Sequence, residues 1–336
     1  MRFLKKPPPK KQVAFEDALV DRAKKETTRL KRQKVKALER AAKNLKARAW
    51  RLSRDQMKAG IKKLTKPQFR ALELACRQMG RRCRKQLSSL KPFVYRPTPG
   101  WTITQKLNPL RSVALVLPPS PPAPQTPPLL STAIAAALAG VQERIVCVSP
   151  DNDGRVSPLM LTAAFMTEVT QLLVLPETTA MAALAMGCGP LPQVDKLFAF
   201  TAPPNLAMKH HLHGLSSTDV ILTGASELMV LAEGQARPDL IAMELASHRE
   251  RHPQGPCGLV TTEKDLIREV KNALKSTDLP PHIDMDTHPV YLVCAADRQE
   301  AVALANRRCP EHLWLLSSAP ELWEAELEAY GVLHIG

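Results

Sequence analysis

From Trp101 onward the chain alternates short aliphatic runs with stretches of helical periodicity, and no other feature restricts its fold as much. The runs are "SVALVL" 112–117, "RIVCVS" 144–149, "QLLVL" 171–175, "KLFAF" 196–200, "DVILT" 219–223, "LMVLA" 228–232, "CGLVTT" 257–262, "VYLVC" 290–294 and "LWLL" 313–316. Helical patterns such as Ser131–Gly140, Ser157–Glu168, Pro238–His248 and Glu263–Ser276 lie between them. Strands that are apolar on both faces must be covered on both faces, and connections of this length are crossovers. The pattern predicts an α/β body with two doubly wound, mostly parallel layers, whose ligands sit at the carboxyl ends of strands.

The charge is divided along the chain. Residues 1–54 hold 19 Lys+Arg against five Asp+Glu, residues 55–98 hold 12 against two, and residues 99–336 hold 16 against 25. The reading is three parts: a basic helical arm over 1–54, a helical N-terminal segment over 55–98, and an acidic α/β body over 99–336. In the arm, Phe15–Arg54 has no Gly or Pro and reads as helix. Its apolar positions are thin, so much of it is expected to be solvated or wrapped on a partner. Its three aromatic residues, Phe3, Phe15 and Trp50, are too few for base stacking, so a nucleic-acid partner (RNA or DNA) would be met through phosphates. Ser53 with Gln56 three residues on predicts a capped helix, and Pro67 opens another whose stripe is Phe69, Leu72, Leu74, Ala75 and Met79.

The seven cysteines are odd in number and form no CxxC pair, which fits free thiols in a reducing, cytoplasmic setting. No run approaches the length of a membrane span, and the start "MRFLKKPPPKK" lacks the apolar core of a secretory signal. The scarcity of acids in the first 50 residues is compatible with an organelle transit peptide, against which the Lys-rich, Pro-broken start argues. The loop after the first strand, Pro118–Pro128, has seven prolines and no glycine. Proline has no N–H to give a phosphate, and neither GxGxxG nor a P-loop occurs anywhere, so a dinucleotide fingerprint is absent.

The stretches "VALVLPPS", "PPLLSTAIAAALAGV", "TAMAALAMGCGPLPQVDKLF", "APPN", "TGASELMVLAEGQARPDLIAMELASH", "GLVTTEKDL" and "EAVALANRRCPEHLWL" follow one another in an order that resembles histidinol dehydrogenase. The likeness runs from about Ser53 to the end, roughly 280 residues, and is more specific than a short motif. It implies two Rossmann-like halves and NAD-dependent oxidation of L-histidinol via L-histidinaldehyde to L-histidine, with zinc orienting the substrate. It places the family's water-activating glutamate and proton-accepting histidine on Glu311 and His312, and its substrate serine on Ser226 in "GASE". Imidazole can accept a proton near neutral pH without special tuning, so the residue types agree with those roles. Read without the resemblance, Glu311 and His312 form an ordinary helix-to-strand turn.

The resemblance also marks departures. The family's zinc-binding "SQAEH" is here "SHRER": His248 stands at the Gln position and Arg251 at the His position. A guanidinium has no lone pair for a metal. His252, one residue on, is expected to point elsewhere. The other two family ligands and the tail exchanged in the family's homodimer fall beyond "YGVLHIG", so a complementing C-terminal polypeptide is one expectation. The nicotinamide-site Tyr and Gln fall on Val116 and Thr179, and "GPGN" becomes "APPN", which keeps Asn205.

Two histidine clusters stand apart from these. "KHHLHG" (His210, His211, His213) reads as a solvated surface group, and "HIDMDTH" (His282, Asp284, Asp286, His288) as a loop that could chelate a cation if extended. Two functions compete. One is a histidinol dehydrogenase homologue that is impaired or completed in trans; the other is an inactive pseudoenzyme, a binding or scaffold module using its basic arm. A metal-free dehydrogenase acting on another alcohol through Glu311 and His312 is a third.

Overall fold

The computed structural model describes residues 3–8, 17–118, 126–199, 203–213, 226–253, 255–277, 286 and 289–336. It divides into two compact units: Ala14–Thr223, and Met1–Val13 together with Gly224–Gly336. The chain begins with a two-residue strand, β1 (Phe3–Leu4), that belongs to the second of these.

The Ala14–Thr223 unit starts with helices α1 (Asp17–Gln33) and α2 (Val35–Asn44), a short strand β2 (Arg51–Leu52), and helices α3 (Arg54–Ala59) and α4 (Lys66–Ser89). Both α3 and α4 open with complete capping boxes, Ser53 with Gln56 and Thr65 with Gln68. Each hydroxyl satisfies an orphan N–H and contributes about 1 kcal/mol. An antiparallel pair, β3 (Phe93–Tyr95) and β4 (Ile103–Gln105), follows with every residue exposed. The sheet proper is built from β5 (Ser112–Val116), α5 (Thr126–Leu138), β6 (Glu143–Val148), α6 (Pro158–Met166), β7 (Gln171–Val174), α7 (Glu177–Met186), β8 (Lys196–Ala199) and α8 (Pro203–His213). Its order is β2-β7-β6-β5-β8, parallel except for the edge strand β2.

The other unit continues with β9 (Leu228–Ala232), α9 (Pro238–Arg251), β10 (Cys257–Thr261), α10 (Lys264–Ser276), β11 (Val290–Cys294), α11 (Arg298–Arg308), β12 (His312–Leu316), α12 (Pro320–Glu324) and β13 (Val332–Ile335). The sheet order is β1-β11-β10-β9-β12-β13, with every pair parallel. β9 and β10 are buried along their whole length, as runs covered on both faces should be. Arg308 donates to the buried carboxylate of Glu227 and to the carbonyl of Pro8, which ties the N-terminal segment to this unit.

Two expectations about the N-terminal region change. Within the helix expected over Phe15–Arg54, the described residues form two helices, α1 and α2, broken at Lys34, whose backbone sits at φ 46, and the chain leaves the helical path after Asn44. No glycine or proline marks that break. The pair is also not a solvated arm, because Ala23, Leu30, Ala37, Leu38, Ala41 and Ala42 are buried in the core beside α7. Small residues hide this face: alanines let the backbones approach closely, so a thin stripe still closes a core. The expected strand 219–223 and most of Pro118–Pro128 lie outside the described residues, as do His282, Asp284 and His288. Among the described residues no helix is long and apolar enough to cross a membrane.

Candidate active site

A cavity of about 470 Å³ in the C-terminal unit is lined by Ser226, Glu244, His248, Arg251, His252 and His312, with Leu228, Trp314, His334 and Ile335 of β13, and Gly336 after it completing the wall. It sits beside the amino ends of β9 and β12, not at the carboxyl ends expected of such sheets. The cause is the direction of α9. That helix leaves the carboxyl end of β9 and runs back, so its last turn arrives at the amino edge. Glu244, His248 and Arg251 share one face of α9 at i, i+4 and i+7. His252 joins them: as the C-cap it leaves the helical path (φ −132, ψ 73), and its ring centroid lies 5.1 Å from that of His248. The expectation that His252 points elsewhere is therefore corrected.

His248 is buried, and its Nε2 lies 3.0 Å from the backbone oxygen of Ser226. A carbonyl only accepts, so Nε2 carries the proton there. Burial pushes the His248 pKa down to about 4, the Ser226 carbonyl opposes that shift, and His252, Arg251 and Arg249 reinforce it. The same turn depends on Arg249, which is only 2% exposed. It donates to the carbonyls of Pro253 (2.9 Å) and Gly255 (2.7 Å) and reaches Cys257 Sγ at 3.4 Å. Gly255 has to be glycine, since a Cβ there would stand 2.1 Å from the oxygen of Ser226.

Glu311 and His312 arrive by a different route. Cys309 closes α11 in the left-handed conformation (φ 49), and Pro310 then prevents the helix from continuing. His312 opens β12, and its N–H bonds the carbonyl of Glu227 at 2.9 Å, beside Ser226. Glu311 Oε1 lies 3.9 Å from His312 Nε2, and Glu311 is the more exposed of the two. On its far side His312 meets His334, with Nδ1 and Nε2 3.2 Å apart. The sequence reading did not single out Glu244, Trp314 or His334; His334 lies in "YGVLHIG", where only the strand register reveals its neighbour.

Zinc does not fit what is present. Among the described residues no group of three or more His, Cys, Asp or Glu side chains could hold a metal. His248 commits Nε2 to a carbonyl, and the Arg251 guanidinium lines the same wall, in contact with Glu244 at 3.4 Å.

The residues expected at a nicotinamide site lie in the Ala14–Thr223 unit. Val116 is completely buried in the sheet core. Thr179 and Asn205 line a second cavity of about 360 Å³, with Arg22, Lys25 and Arg29 of α1 around it. Thr179 donates to Glu26 Oε1 at 2.6 Å, and Asn205 donates to Glu177 Oε2 at 2.6 Å. This cavity follows the carboxyl end of β7, and its cationic rim suits a phosphate-bearing ligand. His210 and His213 are exposed on α8, in keeping with a surface cluster, while His211 Nε2 reaches Thr27 Oγ1 at 3.4 Å.

The histidinol dehydrogenase family model matches residues 10–336. The chain belongs to the histidinol dehydrogenase family. Histidinol dehydrogenase of Nitrosomonas europaea is 32% identical over 290 residues, which cover 85% of this chain and 66% of that protein. The Pseudomonas savastanoi enzyme is 32% identical over 295 residues, covering 85% and 64%. The chain thus spans a little less than two thirds of the length of these relatives. Among solved structures, histidinol dehydrogenase from Elizabethkingia anophelis superimposes with a TM-score of 0.89 at 22% identity, covering 99% of this chain and 77% of that one. A more distant likeness of fold extends to an NAD-dependent aldehyde dehydrogenase from Sinorhizobium meliloti, with TM-score 0.54, 12% identity and coverage of 94% and 74%.

Proposed function

We propose that the cavity of the C-terminal unit binds L-histidinol, and that NAD-linked oxidation through L-histidinaldehyde to L-histidine is impaired in this chain. The supporting observation is that Ser226 and His312 line one cavity, with Glu311 at the side of the imidazole. In this reading the Ser226 hydroxyl holds the substrate, His312 takes the alcohol proton at a ring nitrogen, and Glu311 orients water for the second oxidation. NAD supplies the hydride acceptor, and Thr179 and Asn205 are the residues that would hold it. No step is assigned to zinc.

Arg251 favours a second reading, in which the fold persists as a catalytically inactive binding or scaffold module. A fixed cation where the family coordinates its metal removes the Lewis acid that orients the alcohol. Initial-rate measurements of NADH formation with L-histidinol, on the wild type and on His312→Gln and Glu311→Gln, separate the two. Slow turnover that falls in both variants supports the enzyme. No turnover in any of the three supports the binding module. Turnover unchanged in His312→Gln overturns the site assignment.

A further inference from the structure

His312 is built into a pair. β12 and β13 are parallel, with His312 beside Val332 and Trp314 beside His334. Side chains alternate along a strand and partners in register point the same way, so His312, Trp314 and His334 share the face that lines the cavity. Both ends of β13 are tied to β12. The N–H of Gly331 bonds the carbonyl of Pro310 (3.0 Å) and that of Val332 the carbonyl of Glu311 (2.9 Å). A Cβ on Gly331 would fall 2.6 Å from the Glu311 oxygen, so only glycine lets the strand start this close. At the other end Trp314 Nε1 donates to the carbonyl of Gly336 at 2.9 Å. Between these ties His334 Nε2 lies 3.2 Å from His312 Nδ1, with ring centroids 5.4 Å apart.

A hydrogen bond between two neutral imidazoles needs one N–H and one lone pair. Whichever nitrogen of His312 carries the proton decides whether its other nitrogen is a base. We infer that His334 is a positioning residue for His312: it accepts the Nδ1–H and so keeps the lone pair of His312 on Nε2. This rests on the reading of His312 as the proton acceptor. The alcohol O–H proton passes to Nε2 of His312 while Nδ1–H stays hydrogen-bonded to His334. The His312 side chain is 37% exposed, so the imidazolium then loses its Nε2 proton to water, which returns both the charge and the tautomer of the pair to their starting state. In the imidazolium stage Nε2–H faces the Glu311 carboxylate and Nδ1–H faces His334, so the charged form is met on both sides.

The test is the tautomer of His312, which can be read without turnover from nitrogen-15 spectra of histidine-labelled protein, assigned with His312→Gln. In the wild type the Nε2 signal is expected to be that of an unprotonated nitrogen. His334→Gln places an amide oxygen where Nε2 was and should preserve that tautomer, whereas His334→Phe fills the space without an acceptor and should yield a mixture. Where turnover is measurable, kcat should fall about tenfold or more in His334→Phe, with KM little changed. An Nε2-protonated His312 in the wild type, or a tautomer unaffected by His334→Phe, overturns the inference. Loss of L-histidinol binding with the tautomer as expected would instead overturn the substrate assignment and leave the pair intact.

Discussion

His248 Nε2 and the backbone oxygen of Ser226 lie 3.0 Å apart, so the buried imidazole on α9 holds the start of β9 in place as a neutral donor. The consequence is a pH dependence of stability. His248 has a folded-state pKa of about 4, below its unfolded value of 6.5. Between those values the unfolded chain binds a proton that the folded chain does not, so stability falls as the pH is lowered through that window and is fully restored above it. The slope approaches about 1.4 kcal/mol per pH unit. Melting temperature followed from pH 7.5 down should show the decline, and His248→Asn should flatten the part that this residue causes.

Arg251 should keep zinc out. Wild-type protein prepared with zinc present is expected to hold far less than one metal per chain by elemental analysis. Arg251→His restores an imidazole one helical turn from His248 and should raise zinc affinity by about tenfold or more, the scale of a gained ligand or its support. Stoichiometric zinc in the wild type, lost on His248→Ala, would contradict the description of the cavity.

Leu38 of α2 is completely buried in the core of the Ala14–Thr223 unit. Leu38→Ala should destabilise that unit by about 2–5 kcal/mol, measured by urea unfolding. Deleting residues 1–54 should expose the core and give an aggregating or unfolded product, not a body that has merely lost an arm.

The exposed face of α1 carries Lys24, Lys25, Lys31 and Arg32. If this face meets polyanions, binding of the full chain to single-stranded RNA should be steeply salt-dependent, with a slope of about 0.7 per phosphate neutralised. Replacing the four cations by glutamine should reduce that slope while leaving the fold unchanged by circular dichroism. Equal binding by both proteins would dismiss the face as a polyanion site.

The strands were legible where apolar runs are continuous, as in Leu228–Ala232 and Cys257–Thr261, because burial on both faces leaves no room for polar residues. The capping box at Ser53 was legible for a local reason: both partners lie within one turn. The break at Lys34 was not, since its backbone takes φ 46 and ψ −123, a conformation that lysine does not favour and that no neighbouring glycine or proline signals. Glu311, His312 and Ser226 could be named from the family resemblance alone, but their order along the chain gives no sign of His334. That neighbour depends on the β12–β13 register and on Gly331 starting β13 against Glu311. Arg249 escaped notice for the opposite reason: an arginine reads as surface, and only the fold shows it buried, with Nη1 donating to two carbonyls.

Calorimetric titration of L-histidinol into the full chain tests the cavity assignment most directly, because it needs neither zinc nor turnover. One saturable site per chain is expected, weakened at least about tenfold by Ser226→Ala and by His312→Ala, since each removes a hydrogen-bonding group from a small polar ligand. Absence of binding by the wild type, or binding that neither substitution changes, would contradict the placement of the substrate between Ser226 and His312.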